Sequence, residues 1–248
     1  EDPGEDPGED PGEEPGEDPG EDPSEEPSEE PGDERGDDAT PDTPGTTPTT
    51  PTTPAYKAII TGDGITRTDL TVNVSEGSAK IDMETLAEEI IATNKEVVVT
   101  VPSIPNVTTY TVGISAGSLT NTESESKLTV ETGKGSITIP SNMLAGVVED
   151  EGKKAEISIG SGDKDSLPEE VKAAIGDRPL VQLTLTVDGV RTEWNNPDAP
   201  VTVSIPYTPT AEELADPEHI VVWYIDGAGN VISVPNGRYD PVTGTVTF

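Results

Sequence analysis

Apolar residues alternate with Ser and Thr through most of residues 55–248. The runs are TDLTVNV (68–74), KEVVVTV (95–101), TTYTVGIS (108–115), KLTVET (127–132), GSITIP (135–140), KAEISIG (154–160), VQLTLTV (181–187), PVTVSIP (200–206), HIVVWYI (219–225), VISV (231–234) and GTVTF (244–248). Successive side chains of a strand point to opposite faces, so this period marks strands with one dry and one wet face. Turn signals punctuate the runs: Asp188-Gly189, DGAGN at 226–230 and PNG at 235–237. The spacing predicts an all-β fold, a β-sandwich rather than parallel βαβ units. Either one sandwich or two small β subdomains satisfies it, with a β-rich region and one helix at 55–125 and a sandwich module at 126–248. GTVTF is expected to pair back near VISV.

Three stretches follow a helical period instead. In IDMETLAEEIIATN, Met83, Ala87 and Ile91 lie four apart, as do Leu86 and Ile90, with Asp82 as the N-cap. SLPEEVKAAIG places Ser166 and Glu169 at capping-box spacing and ends at Gly176. TAEELADPE repeats the box with Thr210 and Glu213, and Pro217 stops it. These short helices read as covers for sheet ends and crossovers.

Residues 1–38 carry no such pattern. Every fourth residue from Pro3 to Pro31 is proline, in repeats of the type EDPG. Proline costs about 3 kcal/mol inside a helix and removes a ladder donor in a sheet. With almost nothing apolar to bury, the entropy of ordering is not offset. A disordered acidic tail with a polyproline bias is expected. Residues 39–54, ATPDTPGTTPTTPTTP, form a Thr/Pro-rich linker of the kind that serves as a glycosylated stalk or as a plain spacer. Fully extended at about 3.1 Å per residue, residues 1–54 would span roughly 170 Å.

Charge narrows the function classes. The chain holds 14 Lys and Arg against 50 Asp and Glu, a net charge of −36, of which about −16 belongs to residues 55–248. Nucleic-acid binding needs a basic footprint, as does an anionic membrane surface, so neither partner is expected. Membrane insertion is not expected either, since no apolar run reaches 18 residues. Cysteine is absent, which fits a secreted protein of Gram-positive type. The chain begins with Glu and without a signal peptide, so it is expected to be an excerpt of a longer protein.

No residue set amounts to an active site, and a non-enzymatic role without cofactors is expected. His219 is the only histidine and reads as a strand-edge residue. With no cysteine and no GxSxG, it has neither a nucleophile for a triad nor companions for a zinc site. Asp163 and Asp165 in GSGDKDS have the D-x-D spacing of oxygen-ligand calcium loops. Lys164 between them and the capping role expected of Ser166 argue against it. The tail carboxylates are expected to gather a loose calcium atmosphere rather than a site. A glycan site needs stacking rings, and the candidates are few. Trp194 in TEWNNPDAP is expected in a loop, as a carbohydrate platform or as a lid over a sheet end. Alternation sends Trp223 and Tyr224 to opposite faces, so one of them is expected in the core.

The run AAIGDRPLVQLTLTVDGVRTEWNNPDAPVTVSIPYTPTAEELADPEHIVVWYIDGAGNVISVPNGRYDPVTGTVTF resembles a module of Gram-positive bacterial surface proteins, one that precedes S-layer homology (SLH) repeats. ETGKGSITIPSNML matches that module too. The resemblance covers residues 125–248 well and 55–125 more loosely. More distantly, SITIP, then VTVSIPY, then an apolar strand ending in Asp-Gly resemble the β-domain shared by zonula occludens, ankyrin and netrin-receptor proteins. Some of those self-cleave before the serine of a His-Phe-Ser motif. Here Phe248 falls about where a strand with that motif would follow, so no residue takes that role. The resemblance implies an extracellular, cell-surface structural module. It would join an extended acidic stalk to wall-anchoring repeats further along, and through them to the bacterial cell envelope. The alternative is a glycan-binding or self-processing module.

Overall fold

Fifteen strands run through the described residues of the chain. The structure, a computed structural model, describes residues 55–63, 65–83, 89–91, 93–123, 125–148, 152–193 and 196–248. The acidic repeats and the Thr/Pro linker lie outside the described residues, as do residues 84–88 of the expected first helix. The first eight strands are β1 (Tyr56–Gly62), β2 (Ile65–Ser75), β3 (Ser78–Asp82), β4 (Glu96–Thr100), β5 (Thr109–Ser115), β6 (Lys127–Thr132), β7 (Gly135–Pro140) and β8 (Lys154–Ser161). The remainder are β9 (Val181–Val187), β10 (Val190–Thr192), β11 (Thr202–Pro206), β12 (Val222–Ile225), β13 (Val231–Val234), β14 (Arg238–Asp240) and β15 (Thr245–Thr247). Two helices lie wholly within the described residues, α1 (Glu169–Ile175) and α2 (Ala211–Ala215).

Thirteen strands hydrogen-bond into one ladder, in the order β10-β9-β8-β5-β3-β2-β1-β4-β6-β7-β11-β15-β14. The ladder turns a corner inside β2. Its first part, from Ile65 to Val72, pairs with β1, and Asn73 to Ser75 pair with β3. One long strand thus feeds both layers of a sandwich. The inward residues of the two layers share one core. Ile60, Val97, Val99, Leu128, Ile137 and Ile139 on one side meet Ile81, Val112, Ile114, Ile157, Ile159 and Leu185 on the other, none more than 2% exposed. Each such Val, Ile or Leu stabilises the fold by about 1.5–3 kcal/mol. Tyr110 is buried in the same cluster, and its hydroxyl accepts the Ile104 amide at 3.1 Å. The segments 55–125 and 126–248 are interleaved: β4 runs parallel to β6, and β5 runs antiparallel to β8. The described residues belong to one compact unit.

Local sequence explains the tight connections. Glu76-Gly77 and Asp188-Gly189 both hold positive φ at both central positions, at 48° and 78° and at 49° and 77°. That is the two-residue hairpin turn whose twist matches the flanking strands. Gly135 opens β7 at φ +140°, where a Cβ would lie 2.5 Å from the Ser204 carbonyl oxygen. Only glycine lets β7 approach β11 this closely.

Several local expectations are corrected. SAKID forms β3, and Met83 continues the sheet by donating its amide to Gly113 O at 2.8 Å. Asp82 is the last residue of that strand, and its carboxylate accepts Lys154 Nζ at 2.7 Å; the first helical turn it was expected to cap, residues 84–88, lies outside the described residues. Helical residues appear only from Glu89, within the described part. GTVTF pairs with β11 and β14, not with VISV. VISV forms β13 and pairs with β12 in a separate two-stranded ribbon. Helix α1 forms where expected, but Pro168 precedes it and no side chain caps it. Ser166 donates instead to Asp163 O at 2.9 Å. The capping box of α2 is present: Glu213 N donates to Thr210 Oγ1 at 3.3 Å, and Thr210 N to Glu213 Oε2 at 2.8 Å. No helix among the described residues is long and apolar enough to cross a membrane.

Candidate functional site

The outer face of the β1–β4–β6–β7–β11–β15 layer carries a field of hydroxyls. Alternation that sends Val99, Val130, Ile137, Val203 and Val246 inward leaves Thr100, Glu131, Ser136, Ser204 and Thr247 pointing out. Register aligns those five in one row across the strands. They bond across the strands: Thr100 Oγ1 donates to Glu131 Oε2 at 3.0 Å, and Ser204 Oγ and Thr247 Oγ1 share a bond of 2.7 Å. Thr129 and Thr138 do the same at 2.9 Å in a neighbouring row. Such cross-strand pairs are a source of sheet stability. An open groove of about 380 Å³ lies on this face, lined by Thr100, Glu131, Thr132, Ser136, Ser204 and Thr245 among others. Its lining supplies hydroxyls and one carboxylate but no aromatic ring. Val101, Pro206 and two glycines add apolar surface beside those polar groups, without a stacking ring.

The residues singled out from the sequence do not converge on this groove. Asp163 and Asp165 lie in the loop before α1. Asp163 Oδ1 accepts the Asp165 amide at 2.9 Å, closing a local turn. Lys164 Nζ donates to the carbonyl of Gly176, the residue that follows α1, at 2.8 Å. Among the described residues no group of three or more His, Asp or Glu side chains could hold a metal ion. Trp194 lies outside the described residues. His219 is not a strand-edge residue: it ends a single 3-10 turn, Pro217–His219, three positions before β12. Its Nδ1 meets Asp216 Oδ2 at 2.7 Å, and that hydrogen bond raises its pKa. Neither ring of the β12–β13 ribbon is core. Trp223 is 43% and Tyr224 58% exposed, because the ribbon stands outside the main ladder.

One polar cluster was visible only in part from the sequence. The capping box identified Glu213, but not its other partners. Glu213 Oε1 accepts Arg178 Nη2 at 2.9 Å, and Oε2 accepts the Tyr207 hydroxyl at 2.8 Å. Arg178 follows α1, so the cluster ties that helix to α2 and to the end of β11. Tyr207 also meets the Tyr239 ring edge-on, with centroids 6.2 Å apart. The Thr210 amide, followed by the Tyr207 hydroxyl, holds the Glu213 pKa down to about 2. Burial and the bond to Glu213 push Tyr207 up. Two loop carboxylates behave alike. Asp226 accepts the Ala228 and Asn230 amides, both at 2.9 Å, and Asn230 Nδ2 at 2.8 Å. Asp240 accepts the Val242 amide at 2.8 Å and Thr243 Oγ1 at 3.0 Å. Both have lowered pKa values from these bonds. In each case the shifted carboxylate shapes a turn or a cap. A general acid would need a raised carboxylate pKa instead.

No protein-family model, no curated protein and no solved structure matches this chain.

Proposed function

We propose that this chain is a non-catalytic structural module of a bacterial cell-surface protein of the S-layer type. It acts as a spacer between whatever lies upstream and wall-anchoring repeats further along. The observation that carries the reading is how its polar groups are used. Glu213, Asp226 and Asp240, the carboxylates whose pKa values fall, are each held by caps, turns or neighbouring side chains. The strongly acidic, cysteine-free composition and the SLH-type sequence words support an extracellular, envelope-linked setting.

Wall polymers of Gram-positive cells are largely anionic, and a net charge of −36 offers them no long-range attraction. Residues 1–248 alone should therefore not sediment with purified cell walls at physiological salt, with or without calcium. Saturable sedimentation would overturn the spacer reading. Its loss in Trp194→Ala or in Glu131→Gln would identify a glycan-binding module and locate the site. Binding that appears only with calcium would bring the Asp163 and Asp165 loop back into consideration.

A further inference from the structure

We propose that the domain is built to carry tension applied between Tyr56, at the start of β1, and Phe248, just after β15. This gives the spacer reading a mechanical role, though the argument comes from topology alone. Register aligns Ile59, Thr100, Glu131, Ser136, Ser204 and Thr247 in one row across β1, β4, β6, β7, β11 and β15. The chain enters this layer at Tyr56, three residues before the row. It reaches Phe248 one residue after it.

The strand directions decide which way each end leaves. β1 is antiparallel to β4, β4 is parallel to β6, and each following pair up to β11–β15 is antiparallel. An even number of reversals gives β1 and β15 the same sense. The N-terminal end of β1 and the C-terminal end of β15 therefore leave from opposite ends of the ladder. A pull on both ends crosses the ladder through the row, and the bonds between neighbouring strands share the load. If both ends left from one side, the same pull would open the bonds singly, starting there.

Both terminal strands are also held on two sides. β1 lies between β2 and β4, and β15 between β11 and β14. Phe248 and Val203 exchange two backbone bonds, at 2.8 and 2.9 Å. The hydroxyl bonds Thr100–Glu131 and Ser204–Thr247 join neighbouring strands along the same row. In this account the outer hydroxyl field clasps a load path.

The test is single-molecule force spectroscopy on the full chain. The sequence has no cysteine, so introduced thiols are unique handles. One handle is Ala55→Cys and the other an enzymatic tag after Phe248, which loads opposite ends. In the comparison the second handle is Val242→Cys, in the turn leading into β15, whose side chain is 92% exposed. Lys134→Cys, in the β6–β7 turn, gives a second comparison. Both turns lie at the end where β1 begins, so these pulls open the ladder from one side. Forced unfolding reports the unfolding barrier, and the opposite-end pull should need at least about twofold more force than either same-end pull. Equal forces, or a lower force for the opposite-end pull, would overturn the proposal. That outcome would leave the wall-sedimentation result, and with it the spacer reading, untouched. A melting curve of each unloaded variant checks that the handles leave the fold intact.

Discussion

Replacing Gly135 with alanine tests the closest contact between β7 and β11. The added Cβ would sit 2.5 Å from the Ser204 carbonyl oxygen and 3.5 Å from Ile159 Cδ1. The first neighbour is backbone in a paired strand, so no rotamer change can relieve it, and β11 has to shift. Overpacking of this kind costs about 1–3 kcal/mol. The φ of +140° adds a further conformational cost on the order of 1–3 kcal/mol for a residue with a side chain. Against these, the unfolded chain loses freedom, which offsets about 0.4–1 kcal/mol. The balance is a loss of about 3 kcal/mol, or about 6–12 °C in Tm for a domain of this size. Gly146 is the control. It also has positive φ, at +74°, but a Cβ there meets nothing within 4 Å. Gly146→Ala should lose only the conformational part, about 1 kcal/mol. Thermal melts followed by circular dichroism read both. Equal, small losses in the two variants would refute the close β7–β11 approach.

Glu213 gives a pH signature. Its pKa is depressed from 4.5 to about 2 in the fold, so its stabilisation is fully present above pH 4.5 and is lost as pH falls through about 2. The Tm gap between the native chain and Glu213→Gln should be constant above pH 4.5 and shrink towards pH 2; a gap that does not change with pH would contradict the Arg178–Glu213–Tyr207 cluster. Removing residues 1–54 should leave the melting temperature of the remainder within about a degree or two, because that segment has almost no apolar surface to contribute. A large drop in a calorimetric scan would mean that it packs on the domain.

The alternation of KEVVVTV, GSITIP, KAEISIG and VQLTLTV was enough to find their strands and their buried faces, because burial and period coincide there. It failed where period and environment part. SAKID carries a strand pattern, but its last two residues, Ile81 and Asp82, also open the stretch IDMETLAEEIIATN that holds the helical series Met83, Ala87, Ile91, so the sequence pattern assigns them to the helix. The ribbon VWYI alternates as well as any core strand, yet Trp223 and Tyr224 are exposed. Alternation says which residues share a face, not whether anything covers it. VISV and GTVTF are close in sequence, but β15 joins β11 because the register of VTVSIP offers it a partner at Ser204–Pro206. The Thr210–Glu213 box could be read locally. The Arg178 and Tyr207 bonds that complete it come from residues far apart in chain or element, and no local pattern announces them. The hydroxyl row on the outer face was foreshadowed by the Thr and Ser of the wet positions. Its alignment depended on register, which the sequence alone does not fix.

The spacer account is tested most directly by height. The chain is tethered to a flat surface through a tag after Phe248, a fluorophore is placed at the N-terminus, and its distance from the surface is measured with and without residues 1–54. A chain of that length would span about 40 Å as a random coil and roughly 170 Å fully extended. The account predicts that removing them lowers the label by a distance within that range. A label that stays at the same height would contradict it.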